Sequence, residues 1–140
     1  MDKSFYLSNM CPQNGSLNSG RWNQIESKIH DFCTIQPIWV YTGPVFTSAT
    51  SITIGADSVV VPDGFYKIVV FEKDSSTHAI AFYAANEAPV TGNVNRDFLV
   101  TIDYIESLTG LNFLNTINPN DETVIESTLP SETDLVALGI

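Results

Sequence analysis

The side chains able to do chemistry in this 140-residue chain are mostly amides and carboxylates. It has only two histidines, His30 and His78, and two cysteines, Cys11 and Cys33. Asn9 and Gln13 stand around Pro12, Asn18 heads an amphipathic segment, and Glu26 lies two helical turns further along it. His30 follows one turn after Glu26. Taken singly, each of these residues has an ordinary role. Asn18 in front of a helix is an N-cap, its side-chain oxygen accepting backbone N–H groups of the first turn. Glu26 is a solvated helix residue, and Asn9 and Gln13 are loop polars that satisfy backbone groups. His30, near a helix C-terminus, complements the dipole there or serves as a base. His78 is an ordinary residue at a strand start. No Cys/His cluster has zinc spacing, and Asn14-Gly15-Ser16 fits a glycosylation sequon, a weak pattern by itself.

The elements that must position these groups follow from periodicity. Phe5-Tyr6-Leu7 reads as a short strand, and residues 12–16 are loop chemistry. Trp22, Ile25, Ile29 and Phe32 make one apolar stripe, so a helix is expected from about Asn18 to Phe32. A disulfide between Cys11 and Cys33 would have to span the roughly 20 Å length of that helix, whereas bonded cysteines need Cα atoms within about 7 Å; free thiols are expected. Ile38-Trp39-Val40-Tyr41 is a strand ended by Thr42-Gly43-Pro44, and 52–54 and 59–61 are shorter strand candidates. Pro62-Asp63-Gly64 is a turn that launches the β-rich run 65–72, which pairs with 78–85 as a hairpin. Residues 100–108 read as a helix with Val100, Tyr104 and Leu108 on one face, ended by Gly110 in C-cap fashion. The sum is an α+β fold, a mostly antiparallel sheet flanked by helices.

Composition says less about function. A chain of this length fits one domain with a real core, and no apolar run approaches the roughly 18 residues a membrane helix needs. The first residues lack the basic-then-apolar pattern of a signal peptide. Net charge is −10, and residues 86–140 hold nine acids against Arg96 alone. By itself this balance argues against a nucleic-acid partner, because non-specific affinity for phosphate rests on basic surfaces. Residues 116–140 are expected to form a weakly packed acidic tail.

A series of ordered blocks changes that reading. Phe5-Tyr6-Leu7-Ser8-Asn9-Met10-Cys11-Pro12-Gln13, then Leu17-Asn18-Ser19-Gly20-Arg21-Trp22 with Ile25-Glu26, resembles the second half of the active-site motif of the DNA/RNA non-specific endonucleases, which are ββα-metal (His-Me finger) nucleases. The likeness continues through residues 40–46, 61–67 and 105–113, in the family's order, and covers roughly residues 4 to 115. It implies a truncated ββα-metal fold over residues 1–115. It also implies one Mg²⁺ ligated by Asn18, with Glu26 as the catalytic carboxylate supporting the hydrated metal, and Asn9, Gln13 and His30 lining the site. A hard cation that keeps several waters suits one amide carbonyl and a carboxylate beyond the bound water.

Two departures qualify the implied activity. The family's Asp-Arg-Gly-His motif, whose histidine would activate the attacking water, does not occur in this sequence, and His30 stands where the family usually carries a phosphate-binding arginine. The first reading is therefore a nuclease fragment acting on DNA or RNA, inactive alone, with a missing N-terminal segment or a second copy covering the first strand's exposed edge. The alternative is a non-catalytic binding or interaction protein on a nuclease-derived scaffold. A third, in which His30 is the base, is disfavoured because a residue on the metal-bearing helix approaches the attacking water from the wrong side.

Overall fold

In the computed structural model, residues 10–47, 52–87 and 96–140 are described. Asn9 and the strand expected at Phe5-Tyr6-Leu7 lie outside them. Among the described residues, a single helical turn α1 (Gly15–Leu17) passes through a widened turn at Asn18–Trp22 into α2 (Asn23–Cys33). Strands β1 (Ile38–Val45), β2 (Thr53–Ile54), β3 (Val59–Val60), β4 (Gly64–Lys73) and β5 (Ser76–Ala85) follow. The chain ends with β6 (Leu99–Val100), α3 (Ile102–Thr109), α4 (Pro119–Ser127) and α5 (Glu132–Leu138). The main sheet is antiparallel in the order β1-β4-β5-β6, and β2 and β3 form a separate hairpin. This is the α+β arrangement expected from periodicity.

β4 organises the core because both its faces are covered. Its alternating side chains divide between two apolar clusters, as the two-residue period of a strand requires. Phe65, Val69 and Phe71 pack with Ile80, Phe82, Trp22, Ile25 and Phe32 on the side of α2 and α5. Tyr66, Ile68 and Val70 pack with Ile102, Ile105, Phe113 and Leu114 on the side of α3. The start of β4 demands glycine: a Cβ on Gly64 would lie 2.6 Å from the Tyr83 side chain and 2.7 Å from the Ala84 carbonyl oxygen.

Four boundaries differ from expectation. The first helix begins at Gly15 because Asn14, not Asn18, caps it, its Oδ1 accepting from the Ser16 and Leu17 N–H groups. β1 runs through Thr42-Gly43-Pro44 to Val45; it is an edge strand, and proline's missing N–H costs nothing where no ladder bond is due. Val100 belongs to β6, and the next helix starts at Ile102, because Thr101 is its cap and accepts from the Tyr104 N–H. Its buried residues are Ile102 and Ile105, while Tyr104 faces outward; Gly110 ends it with φ 70° as expected.

The fourth difference is the acidic tail, expected to be weakly packed. It forms two helices, and Leu135 and Leu138 of α5 are buried in the α2-side cluster. Polar links hold α5 in place. Asp134, 4% exposed, accepts from Lys73 Nζ and meets His78 Nδ1, each at 3.0 Å, while the Ser131 hydroxyl donates to it at 2.6 Å. Arg96 grips Glu132 with both terminal nitrogens, at 2.9 and 2.6 Å, and donates to the Ile140 carbonyl. Burial pushes the Asp134 carboxyl upward, but hydrogen bonds from Ser131, His78 and Lys73 prevail and hold it below the usual aspartate range. His78 is thus not an idle strand-start residue: it stacks on Phe71 and faces Asp134.

Candidate metal centre

The polar loop in front of α1 is pinned by one side chain far away in sequence. Asn86 accepts the Asn14 N–H at 2.7 Å and donates to the carbonyls of Pro12 and Pro62, at 3.1 and 3.0 Å. A single amide thus ties the loop to the turn that begins β4. Gln13, within that loop, carries a buried Nε2 with no hydrogen-bond partner among the described residues. Asn14, not Asn18, caps the helix. Asn18 lies one turn further on, in helical conformation, with its side chain exposed and no hydrogen bond to it among the described residues.

Between Asn18 and Glu26 the helix is not regular. The backbone widens over Asn18–Trp22 and kinks at Gly20 (φ −100°, ψ −110°) before α2 resumes. Kinks of this kind accompany inserted turns and glycines. Past the kink, Ile25, Ile29 and Phe32 turn into the core and Glu26 faces outward.

Glu26 meets a partner that periodicity alone does not disclose as part of the site. Lys67 sits on the α2-facing side of β4 in step with Phe65 and Val69, and is 7% exposed. Its ammonium lies 3.0 Å from Glu26 Oε1 and donates to Thr42 Oγ1 at 3.1 Å. It also stands 5.1 Å from the centre of the Trp22 ring, within the range of a cation–π contact. The Thr42 hydroxyl in turn donates to the Tyr66 carbonyl. A buried cation must be paired and hydrogen-bonded to be tolerated, and Glu26, Thr42 and Trp22 meet that need. The signal for Lys67 was present in the sequence as a charge at an inward position of an apolar strand; Asn86, after the end of β5, left none.

His30 is exposed and shares a shallow groove with Glu26, Ser27 and Asp31. The structure therefore brings His30 beside Glu26, sets Gln13 in the loop ahead of α1, and leaves Asn9 outside the described residues. Arg21 is buried, ion-paired with Asp97 at 3.6 Å and lying over the Phe98 ring. Both cysteines are free thiols, Cys11 half-buried and Cys33 exposed.

Comparison with known sequences decides the ancestry. A model of the DNA/RNA non-specific endonuclease family matches residues 1–120. The chain belongs to this family. The mitochondrial endonuclease G of Bos taurus is 34% identical over 128 residues, which cover 84% of this chain and 43% of that protein. The human mitochondrial nuclease EXOG is 34% identical over 127 residues, covering 81% and 34%. Among solved structures, a chain of the complex between EndoG and EndoGI, described as revealing the mechanism of EndoG inhibition, superposes with a TM-score of 0.74 at 30% identity. The match covers 86% of this chain and 54% of that one. This member of the DNA/RNA non-specific endonuclease family thus spans less than half the length of the endonuclease G and EXOG relatives.

Proposed function

We propose that the chain forms the metal-holding half of a phosphodiester-hydrolysing site acting on DNA or RNA, with Asn18 as the protein ligand of one Mg²⁺. The observation that carries this is the availability of Asn18: the cap is Asn14, and the Asn18 amide is exposed with no hydrogen bond to it among the described residues. The donor set fits the ion, because a neutral amide oxygen and a carboxylate are both hard oxygen donors. When bound, such an ion supplies charge stabilisation to the phosphate and the leaving oxygen. Glu26 would orient water bound to such an ion, and Lys67 restrains the Glu26 carboxylate from the protein side. The buried Nε2 of Gln13 is a donor suited to a phosphate oxygen or an ordered water. His30 borders the groove beside Glu26 in place of a guanidinium, which weakens the hold on phosphate.

The water-activating base is not among these groups, and no Asp-Arg-Gly-His occurs in the sequence. A positioned base contributes about 10²- to 10⁴-fold, so hydrolysis by this chain alone is expected to be slower than that of a full site by that factor. The reading is tested by Mg²⁺ titration calorimetry beside prolonged plasmid digestion with an EDTA control. Asn18→Ala is expected to weaken Mg²⁺ binding at least about tenfold, from the effect of removing groups around a bound metal, and to abolish residual nicking. Equal Mg²⁺ affinity in wild type and Asn18→Ala, or nicking that survives the substitution, would sink it.

A further inference from the structure

On the opposite face of the sheet, three carboxylates converge. Asp103 and Glu106, one turn apart on α3, and Glu126, in the last turn of α4, each present an oxygen within 4.8 Å of the others. α3 packs in the cluster of Ile68, Val70 and Ile102, whereas α2 packs in that of Phe65 and Val69, so the sheet separates this cluster from Asn18 and Glu26. Glu126 is 6% exposed, and its Oε1 is buried without a hydrogen-bond partner among the described residues. Glu106 accepts the Phe113 N–H at 2.9 Å. That backbone amide fixes Glu106 and leaves its carboxylate with acceptor capacity to spare. No residue after Arg96 is Lys, Arg or His, and none of the described ion pairs reaches these three acids.

Three separate costs fall on Glu126. It is removed from water, it faces like charges, and it sits at a helix end where the dipole disfavours an anion. Burial, then the neighbouring Glu106, pushes its carboxyl up to about 6. Glu126 thus sets a buried carboxylate, one oxygen of which has no hydrogen-bond partner among the described residues, within 4.8 Å of the other two carboxylates, which is the environment a cation would relieve.

We infer that Asp103, Glu106 and Glu126 form a second cation site that takes Ca²⁺ and braces α3 against α4. The spread of the donor atoms suits bonds of about 2.3–2.6 Å to one ion, and the flexible coordination of Ca²⁺ accepts carboxylates that also receive backbone hydrogen bonds, where Mg²⁺ demands near-ideal octahedral geometry. Asp103 is exposed and Glu106 half-buried, so water completes the shell from one side.

The experiment is thermal unfolding at pH 7.5 of EDTA-treated, dialysed protein, with 10 mM CaCl₂ against NaCl of matched ionic strength. Wild type and Asn18→Ala are expected to gain about 5 °C in Tm with Ca²⁺, assuming the sub-millimolar to millimolar affinity of simple carboxylate sites. Glu126→Gln, which removes a repelled charge and keeps the shape, is expected to fold and to gain less than about 1 °C. Asp103→Asn, at an exposed position, should also lose most of the gain. The inference is overturned if wild type shows no Ca²⁺-dependent gain, if Glu126→Gln keeps it, or if Asn18→Ala removes it.

Discussion

The pairing of Lys67 with Glu26 predicts an asymmetry between two deletions that a simple view of one ion pair would treat alike. The Lys67 side chain is 9% exposed and that of Glu26 is 46% exposed, with the charged atoms 3.0 Å apart. Removing Glu26 strands an ammonium in the protein, leaving Thr42 Oγ1 and the Trp22 ring as its contacts. Breaking a fully buried pair from one side costs about 3–5 kcal/mol, and a hydrogen bond to a charged group contributes about 1.5–3 kcal/mol. Glu26 is only half-buried, so Glu26→Ala is expected to lose about 2–3 kcal/mol, near the lower of these ranges. Lys67→Met leaves a carboxylate that water can solvate and lays an apolar chain of similar length against Trp22, for a loss of about 0–1 kcal/mol. The double variant should resemble Lys67→Met, giving a coupling of about 2 kcal/mol. Urea denaturation followed by tryptophan fluorescence and circular dichroism measures all four stabilities. Equal losses in the two single variants, or a larger loss for Lys67→Met, would refute the claim that Glu26 is what makes the buried lysine tolerable.

Other expectations rest on single contacts. Because the Asp134 carboxyl is held below its usual range, its stabilisation is complete above the unfolded value of about 3.9 and is lost as pH falls through the depressed folded value. Asp134→Asn should therefore lose about 1–3 kcal/mol at pH 7 and show a shallower decline below pH ~4; urea midpoints from pH 3 to 7 that fall in parallel with wild type would contradict this. Gly64→Ala forces a methyl against Tyr83 and the Ala84 carbonyl, and a loss of about 1–3 kcal/mol is expected by thermal unfolding; an unchanged Tm would show that β5 yields freely. The thiol reagent DTNB should titrate Cys33 rapidly and Cys11 slowly, since burial pushes the Cys11 thiol up. Equal rates, or fewer than two reactive thiols after denaturation without reductant, would be inconsistent with the structure.

What could be read beforehand was what depends on local pattern. The β-rich run of β4 and its hairpin with β5, the apolar stripe of Trp22, Ile25, Ile29 and Phe32, and the glycine that ends α3 are local facts, and each is found where expected. The cap of the first helix was not decidable in that way, since Asn14 and Asn18 both precede the stripe and only the fold of the loop chooses between them. The docking of α5 escaped because seven residues are too few to establish a helical period, and because its holding partners, Lys73 and His78, lie on distant strands. The proposed metal-side residues are assigned only through resemblance: nothing in the type or spacing of Asn18 and Glu26 distinguishes a ligand pair from two surface polars. Lys67 joins Glu26 through a strand-to-helix contact that no stretch of sequence contains.

The kink at Gly20 has a consequence for how this segment can change over generations. In an uninterrupted α-helix, residues eight apart lie about 80° out of phase around the axis, at about 100° per residue. The widened turn resets that phase between Asn18 and Glu26 while the core stripe beyond it stays in register. Loss of one residue between them would draw the segment toward a plain helix and turn Leu17, 1% exposed in the core just ahead of the kink, out of its cluster together with the Asn18 amide. Packing of Leu17 therefore holds the length of this turn fixed, and the residue count between that asparagine and that glutamate is tied to the core before any ligand is considered.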